Sequence, residues 1–523
     1  MRDHRLTDAY STSPLQGFDQ IVAVSQDHIN ASLDSRFSLD EKLLKLEVNV
    51  HGRGKLDAHM TPPTVVLFIA NEPAKAHFCL HFDGGDSKFT YYTINDHADP
   101  PTVDTHSVDI KDWTLAFTVN LSLEVLGKIP PEISKKITVP GSYSVSQLLL
   151  DFTTSDLTSF DRDLSTTPGL AKPLGQDSER DDALATFINI YLRNLTQSTH
   201  NVLGYAITVP DPSVANPIAP TFPPTSVRFQ TMANQPKVPG KDCFLFLEMT
   251  DKRAFPTSPY IGWTWNWVGE SPRQSASMVL AKANFWDAFF VPRATFLNRL
   301  ALDMLNRVAY SIDSRKLDHN PAWTLGSTVP DSGLAWKTKD DKSMKWDWSY
   351  STSSHRDQLR PYTHRFDTNV DVALDIAKNA ITMTSKSHVW REDIAITPLG
   401  REVIKNTTVI DATVSWGFVF TLESVADGAL GVRTTASPED CSVTETYNGN
   451  IGRYNPFSDQ ELAQFVKDRI KDGLSSNTLE QDVKDAFKHQ AQFVFPGGGT
   501  FFMKDPAFNE SGDIVVGLEY KQE

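Results

Sequence analysis

Cysteine is nearly absent: Cys79, Cys243 and Cys441 are the only three in 523 residues, far apart and without a CxxC pair. So odd and sparse a set excludes a disulfide scaffold and suits a reducing compartment. Basic charge is in deficit, with 50 Lys and Arg against 65 Asp and Glu and a formal net charge of −15. Such a surface repels phosphates and anionic headgroups, which sets nucleic-acid binding aside. No apolar run approaches the ~20 residues needed to cross a bilayer, so no transmembrane segment is expected. The first residues lack the apolar stretch of a secretory signal, and a cytoplasmic protein is the expectation. Five N-x-S/T sequons, at Asn30, Asn120, Asn194, Asn406 and Asn509, are what a chain this long collects by chance. Catalytic signatures are missing too: GxSxG, HExxH, GxxxxGK[ST] and a GxGxxG ahead of a helix do not occur. PGGG at 496–499 stands between two strand patterns, whereas a phosphate cradle needs a helix N-terminus behind it. No cofactor is expected.

What is present is pattern. A chain of this length exceeds what one hydrophobic core supports. The expected division is a strand-rich part with short helices over 1–270 and a second part over 271–523. FDQIVAVSQDHINASL (18–33) changes period partway: Ile21, Val22 and Val24 read as a strand, and Ser25 as the N-cap of a short helix whose buried face is Ile29, Leu33 and Phe37. WTLAFTVNLSLEVL (113–126) alternates for about 13 residues, longer than most strands, which implies a large curved antiparallel sheet. Residues 179–195 form a helix burying Leu184, Phe187, Ile188, Tyr191 and Leu195. The longest helical pattern is 277–311, where Phe285, Phe289, Pro292, Phe296, Leu300, Met304 and Val308 recur at steps of three or four. Pro292 removes a backbone hydrogen bond inside it and bends it. Further strands read over 367–377, 380–390 and 408–424, and a hairpin closes the chain. The proline-rich stretch 207–226 is no regular element.

Two constellations carry candidate chemistry. On KAHFCLHFD, strand alternation puts His77, Cys79, His81 and Asp83 on one face and Phe78, Leu80 and Phe82 on the other. These are suitable metal ligands, but at ~6–7 Å between alternate residues the whole set cannot converge on one ion without a bend. A solvated polar face over a buried aromatic one is the plainer reading, and no metal is expected. In TSPYIGWTWNWVGE, Trp263, Trp265 and Trp267 share one face of an extended run. They form core beneath the long helix, the wall of an apolar ligand site, or an exposed interaction patch, core being the commonest fate of such a stripe.

FDQIVAVSQDHINASL resembles the opening of the hydrophobic accessory-protein family first known from clostridial neurotoxin gene clusters, with Asp19, Ser25, Asn30 and Leu33 at the matching positions. DCFLFLEMT, AKANFWDAFFVPRATFLN and the terminal FPGGGTFFMKDPAFNESGDIVVGLEY follow in the family's order, so the resemblance spans nearly the whole chain. Members of that family belong to the tubular lipid-binding (TULIP) superfamily, and the resemblance implies the same of this chain. It implies an elongated α+β fold, a long kinked amphipathic helix wrapped by a highly curved antiparallel sheet, with an apolar groove between them. The function implied is non-catalytic binding of a lipid or another apolar small molecule, with Trp263, Trp265, Trp267, Phe285, Phe289 and Phe296 as lining candidates. Two alternatives stay open. One is a protein-interaction component of a toxin-associated complex. The other is an enzyme, a cyclase or isomerase acting on a hydrophobic metabolite, for which His77, His81 and Asp83 are the residues to inspect.

Overall fold

The opening junction shows how local chemistry sets the architecture. In the computed structural model, Gln20–Ser25 is strand β1, buried at every position, and Gln26–Ser38 is helix α1. Ser25 Oγ accepts from the His28 amide at 3.3 Å, the side-chain cap that halts the strand and starts the helix. Ile29, Leu33 and Phe37 form the buried face of α1. The structure describes residues 15–67, 69–83, 85–95, 97–135, 143–152, 160–208, 222, 224–235, 237–262, 266–269, 275–313, 329–356, 362–399, 402–424, 430–436, 442–449, 464, 468, 472, 479, 481–482, 493–494 and 499–522. Of the proline-rich stretch 207–226, residues 209–221 and 223 lie outside them.

Strands follow in succession: β2 (Lys45–Val50), β3 (Gly54–Val66), β4 (Lys75–Phe82), β5 (Lys88–Asn95), β6 (Thr102–Asp109), β7 (Thr114–Val125) and β8 (Ser144–Asp151). Helix α2 (Ser178–Gln197) precedes β9 (Val202–Thr208), β10 (Ser226–Met232), β11 (Cys243–Met249) and β12 (Ala276–Leu280). A π-helical segment, Ala283–Phe290, leads through Val291–Arg293 into α3 (Thr295–Asp313). The remaining strands are β13 (Lys337–Asp340), β14 (Ser343–Arg356), β15 (Tyr362–Ala377), β16 (Ala380–Leu399), β17 (Glu402–Ser424), β18 (Leu430–Ala436), β19 (Ser442–Gly449), β20 (Phe493–Val494), β21 (Gly499–Phe508) and β22 (Ile514–Gln522).

Among the described residues these strands make three sheets. One has the order β10-β11-β1-β12-β22-β21; a second runs β20-β9-β8-β7-β4-β3-β5-β6 with β2 on β3; the third runs β13-β14-β15-β16-β17-β18 with β19 on β17. The register of every strand pair resolved residue by residue is antiparallel. The fold is therefore α+β, mostly antiparallel, with a curled half-barrel and one long bent helix. Two compact units emerge: Met1–Leu280 with Lys488–Lys504 and Val515–Glu523, and Ala281–Phe487 with Asp505–Ile514.

The expected helix over 277–311 is corrected at its start. Ser277–Leu280 belongs to β12, paired with β1 from Gln20↔Leu280 to Val24↔Ala276. Both faces of this central strand are buried, so its apolar residues run continuously and hide the two-residue period. Pro292 lies where the helix bends: the backbone leaves helical geometry at Ala294, and Thr295 Oγ1 donates to the Pro292 carbonyl at 2.9 Å.

Candidate functional site

The metal candidate of the first unit resolves into a covered polar seam. Beyond β8's reach, the free edge of β7 is occupied by residues 160–166: the Thr114 amide donates to Thr166 O at 2.8 Å, the Asp161 amide to Ala116 O at 2.9 Å, and the Ala116 amide to Ser165 Oγ at 3.0 Å. His77 and Cys79 are consequently 9% and 4% exposed rather than solvated. His77 Nδ1 lies 3.3 Å from Thr118 Oγ1 and 3.7 Å from Asp161 Oδ2. His81 bridges Thr64 Oγ1 at 2.8 Å and Thr114 Oγ1 at 3.1 Å. Burial lowers both imidazole pKa values, with Asp161 opposing the shift at His77, and it pushes the Cys79 thiol up to about 11. The seam thus holds neutral imidazoles and a protonated thiol, neither a thiolate nucleophile nor a charged acid. Asp83 is exposed beyond the strand end. Among the described residues no three His, Cys, Asp or Glu side chains come together to hold a metal ion.

The aromatic candidates separate. Trp263 and Trp265 lie outside the described residues. Trp267 is buried, and its carbonyl accepts a hydrogen bond from the Ser277 hydroxyl of β12. Phe285 and Phe289 are buried in the second unit, while Phe296 is half-buried. Around Phe285 stand Phe289 at 6.0 Å, Phe290 at 5.9 Å and Phe508 at 6.1 Å between ring centroids. Trp286 stacks on Phe290 at 5.5 Å, and Phe290 meets Phe420 of β17 edge-on at 5.6 Å. The Arg293 guanidinium caps the Phe289 ring at 4.1 Å.

The apolar stripe is out of phase with the expected one. Pro292 is exposed and Phe296 and Leu300 half-buried, whereas Ala294, Leu297, Ala301 and Leu305 are buried; Met304 is buried as expected. The π segment causes this. Its last amide, Val291, donates to Trp286 O five residues back, so each turn holds more residues than an α-turn and rotates everything downstream.

Helix α3 packs on β15 and β16. The sheet face buried there reads Met383, Ser385, Ser387, Val389 and Arg391 along β16. Register sets Trp346, Val372, Ser385 and Trp416 in one row across four strands. Thr368 of β15, also buried, donates its hydroxyl to His388 O at 2.9 Å. Seven buried polar atoms in this unit have no hydrogen-bond partner among the described residues: Oγ of Ser385 and Ser387, Nε1 of Trp286, Trp336 and Trp416, and Oδ1 of Asn298 and Asn306. Asn298 is otherwise anchored, Nδ2 donating to Leu334 O at 2.8 Å. A buried polar atom left unpaired costs about 1–3 kcal/mol, so each of these seven calls for an explanation. Sequence reading missed Ser385 and Ser387. The signal was present in MTSKSHV, where they interrupt an apolar period-two row shared with Met383 and Val389.

No protein-family model matches the chain, and no characterised protein matches it in sequence. Solved structures that resemble it include P47 of Clostridium botulinum E1, at 9% identity and a TM-score of 0.43 over 97% of this chain and 100% of that one. P47 from Clostridium botulinum A2 aligns at 9% identity and a TM-score of 0.40 over 97% and 98% of the two chains. A lipopolysaccharide binding protein aligns at 11% identity and a TM-score of 0.33 over 97% and 99%. At such identities and scores the functional reading is left to the geometry.

Proposed function

We propose that the chain is a non-catalytic, TULIP-like binder of an amphipathic lipid-class molecule, held along the seam between the bent helix and the long-stranded sheet of the second unit. The observation that carries this reading is the pair of orphaned hydroxyls of Ser385 and Ser387, with the orphaned Trp416 indole opposite Ser385 in register, on the sheet face against which the helix packs. The polar end of the ligand receives hydrogen bonds from the Ser385 and Ser387 hydroxyls and the Trp416 indole. Its hydrocarbon lies along Phe285, Phe289 and Phe296, gaining about 25 cal/mol per Å² of apolar surface removed from water. Entry requires the helix to lift. The π segment supports that requirement, since such turns are rare and gather at functional sites.

The test is native mass spectrometry and solvent extraction of the purified chain, followed by loading with a fluorescent fatty acid. Stoichiometric uptake is expected. Ser387→Ala removes an orphaned hydroxyl, so it should leave the ligand-free protein as stable or more stable by about 1 kcal/mol while weakening uptake severalfold. A chain that carries no lipid and takes none up overturns the proposal; unchanged uptake by the variant moves the site elsewhere.

A further inference from the structure

The opposite face of the β14–β17 sheet carries a groove of about 960 Å³. Register builds it in two rows. Lys345, Ala373, Thr384 and Gly417 stand in line across β14, β15, β16 and β17, and Asp347, Asp371, Lys386 and Ser415 form the next row. Small side chains keep the first row low. Gly417 is held to glycine by the close approach of β16, where a Cβ would stand 2.6 Å from the Met383 carbonyl oxygen.

The charge in this groove runs against that of the chain. Lys339, Lys345 and Lys386 line it, and among the described residues none of them is in an ion pair. Of its two carboxylates, Asp347 is neutralised from outside by Lys337, whose Nζ lies 3.1 and 3.2 Å from the two oxygens. Asp371 accepts from Asn369 Nδ2 at 3.2 Å and faces Lys386 across the strand pair. A protein of net charge −15 therefore gathers three ammonium groups in one polar concavity, against one carboxylate not already held by a lysine from outside. Strands β15 and β16 are paired along both edges, so their backbone donors and acceptors are spent in the ladder. A ligand here is read by side chains alone, by ammonium groups and by the hydroxyls of Thr382, Thr384 and Ser415. That excludes an acidic peptide added as an extra strand, and the volume is far larger than a single oxoanion fills.

From this geometry we infer that the outer groove binds an anionic carbohydrate, a saccharide carrying sulfate or carboxylate groups on a hydroxyl-rich framework. The inference is independent of the lipid reading, which concerns the buried face of the same sheet.

Calorimetric titration of the full chain with a sulfated heparin-derived hexasaccharide tests it. The same saccharide after desulfation, inorganic sulfate and polyglutamate serve as comparison probes. The sulfated saccharide should bind, and more weakly as salt rises. Lys345→Gln with Lys386→Gln should weaken it about tenfold or more, since two charge-assisted hydrogen bonds are lost. Lys55→Gln, in the first unit, should leave binding unchanged. Absence of saccharide binding, equal binding of inorganic sulfate or polyglutamate, or the same loss in Lys55→Gln would overturn the assignment. A failed lipid-uptake experiment has no bearing on it.

Discussion

Glu248 sits in the middle of the six-stranded sheet at 1% exposure, opposite Gln20 in register, whose Nε2 donates to its carboxyl at 2.5 Å. Burial outweighs that hydrogen bond and raises its pKa from 4.5 to about 8. A raised carboxyl binds its proton more tightly folded than unfolded. Its contribution is therefore complete below about pH 4.5 and is lost as pH rises through about 8, a change on the order of a few kcal/mol. His28 works the other way. Buried and edge-on to Tyr520 at 4.4 Å, it is lowered from 6.5 to about 4, so its contribution is present above pH 6.5 and lost as pH falls through about 4. Urea midpoints measured from pH 4 to 9 should show stability declining above pH 6.5, and Glu248→Gln should remove most of that decline. A variant that keeps the full alkaline decline would show that another group drives it. His28→Phe removes the opposing gain, so in the same experiment the decline should begin near pH 4.5 instead of 6.5; an unchanged onset would rule His28 out as the opposing group.

At the scale of elements, Gly54 is the clearest single dependence. It opens β3 at φ +133° opposite Tyr91, and a Cβ there would stand within bonding distance of the Thr90 carbonyl oxygen. Gly54→Ala should therefore separate the start of β3 from β5. It should cost several kcal/mol and selectively raise hydrogen exchange at Leu56 and Phe89, whereas uniform protection would mean the backbone accommodates the methyl. How much of this was legible in the sequence varied with burial. Wherever one face meets water, as in α1 and α2, the pattern predicted the element and the residues it buries; in β7 it held from Trp113 to Leu121, while Leu123 is half-buried and Val125 exposed. β12 failed because a central strand buried on both faces has no alternation to read. The stripe through Phe296 failed because one π turn rotates all that follows, and no residue type announces a π turn. The His77–Cys79–His81 face was read correctly as a face and wrongly as solvated. Its cover comes from residues 160–166, about eighty positions away in sequence, through backbone hydrogen bonds that carry no side-chain signature.

Across the whole molecule, the candidate sites were the least legible part, because each arises from register among strands far apart in sequence. The Trp346–Ser385–Trp416 row needs three separate stretches aligned to the residue, and the lysine groove needs the same three turned over. The last twenty-odd residues show the same long-range dependence in stability. β22 pairs with β12, and β21 closes that sheet's edge, so without them β12 becomes an exposed strand with no polar face. Within the second unit, Phe508 packs on Phe285 and its amide donates to Lys378 O at 2.6 Å, while Asp513 Oδ1 accepts from the Lys282 amide at 2.9 Å, just ahead of the π segment. A chain ending at Gly498 should therefore lose both units rather than shed a dispensable tail. Hydrogen exchange should find amides of β12 and of Ala283–Phe290 unprotected together, and thermal melting should retain no transition at the full-length midpoint. Native-like protection in either segment would show that its unit closes its core without the C-terminal strands.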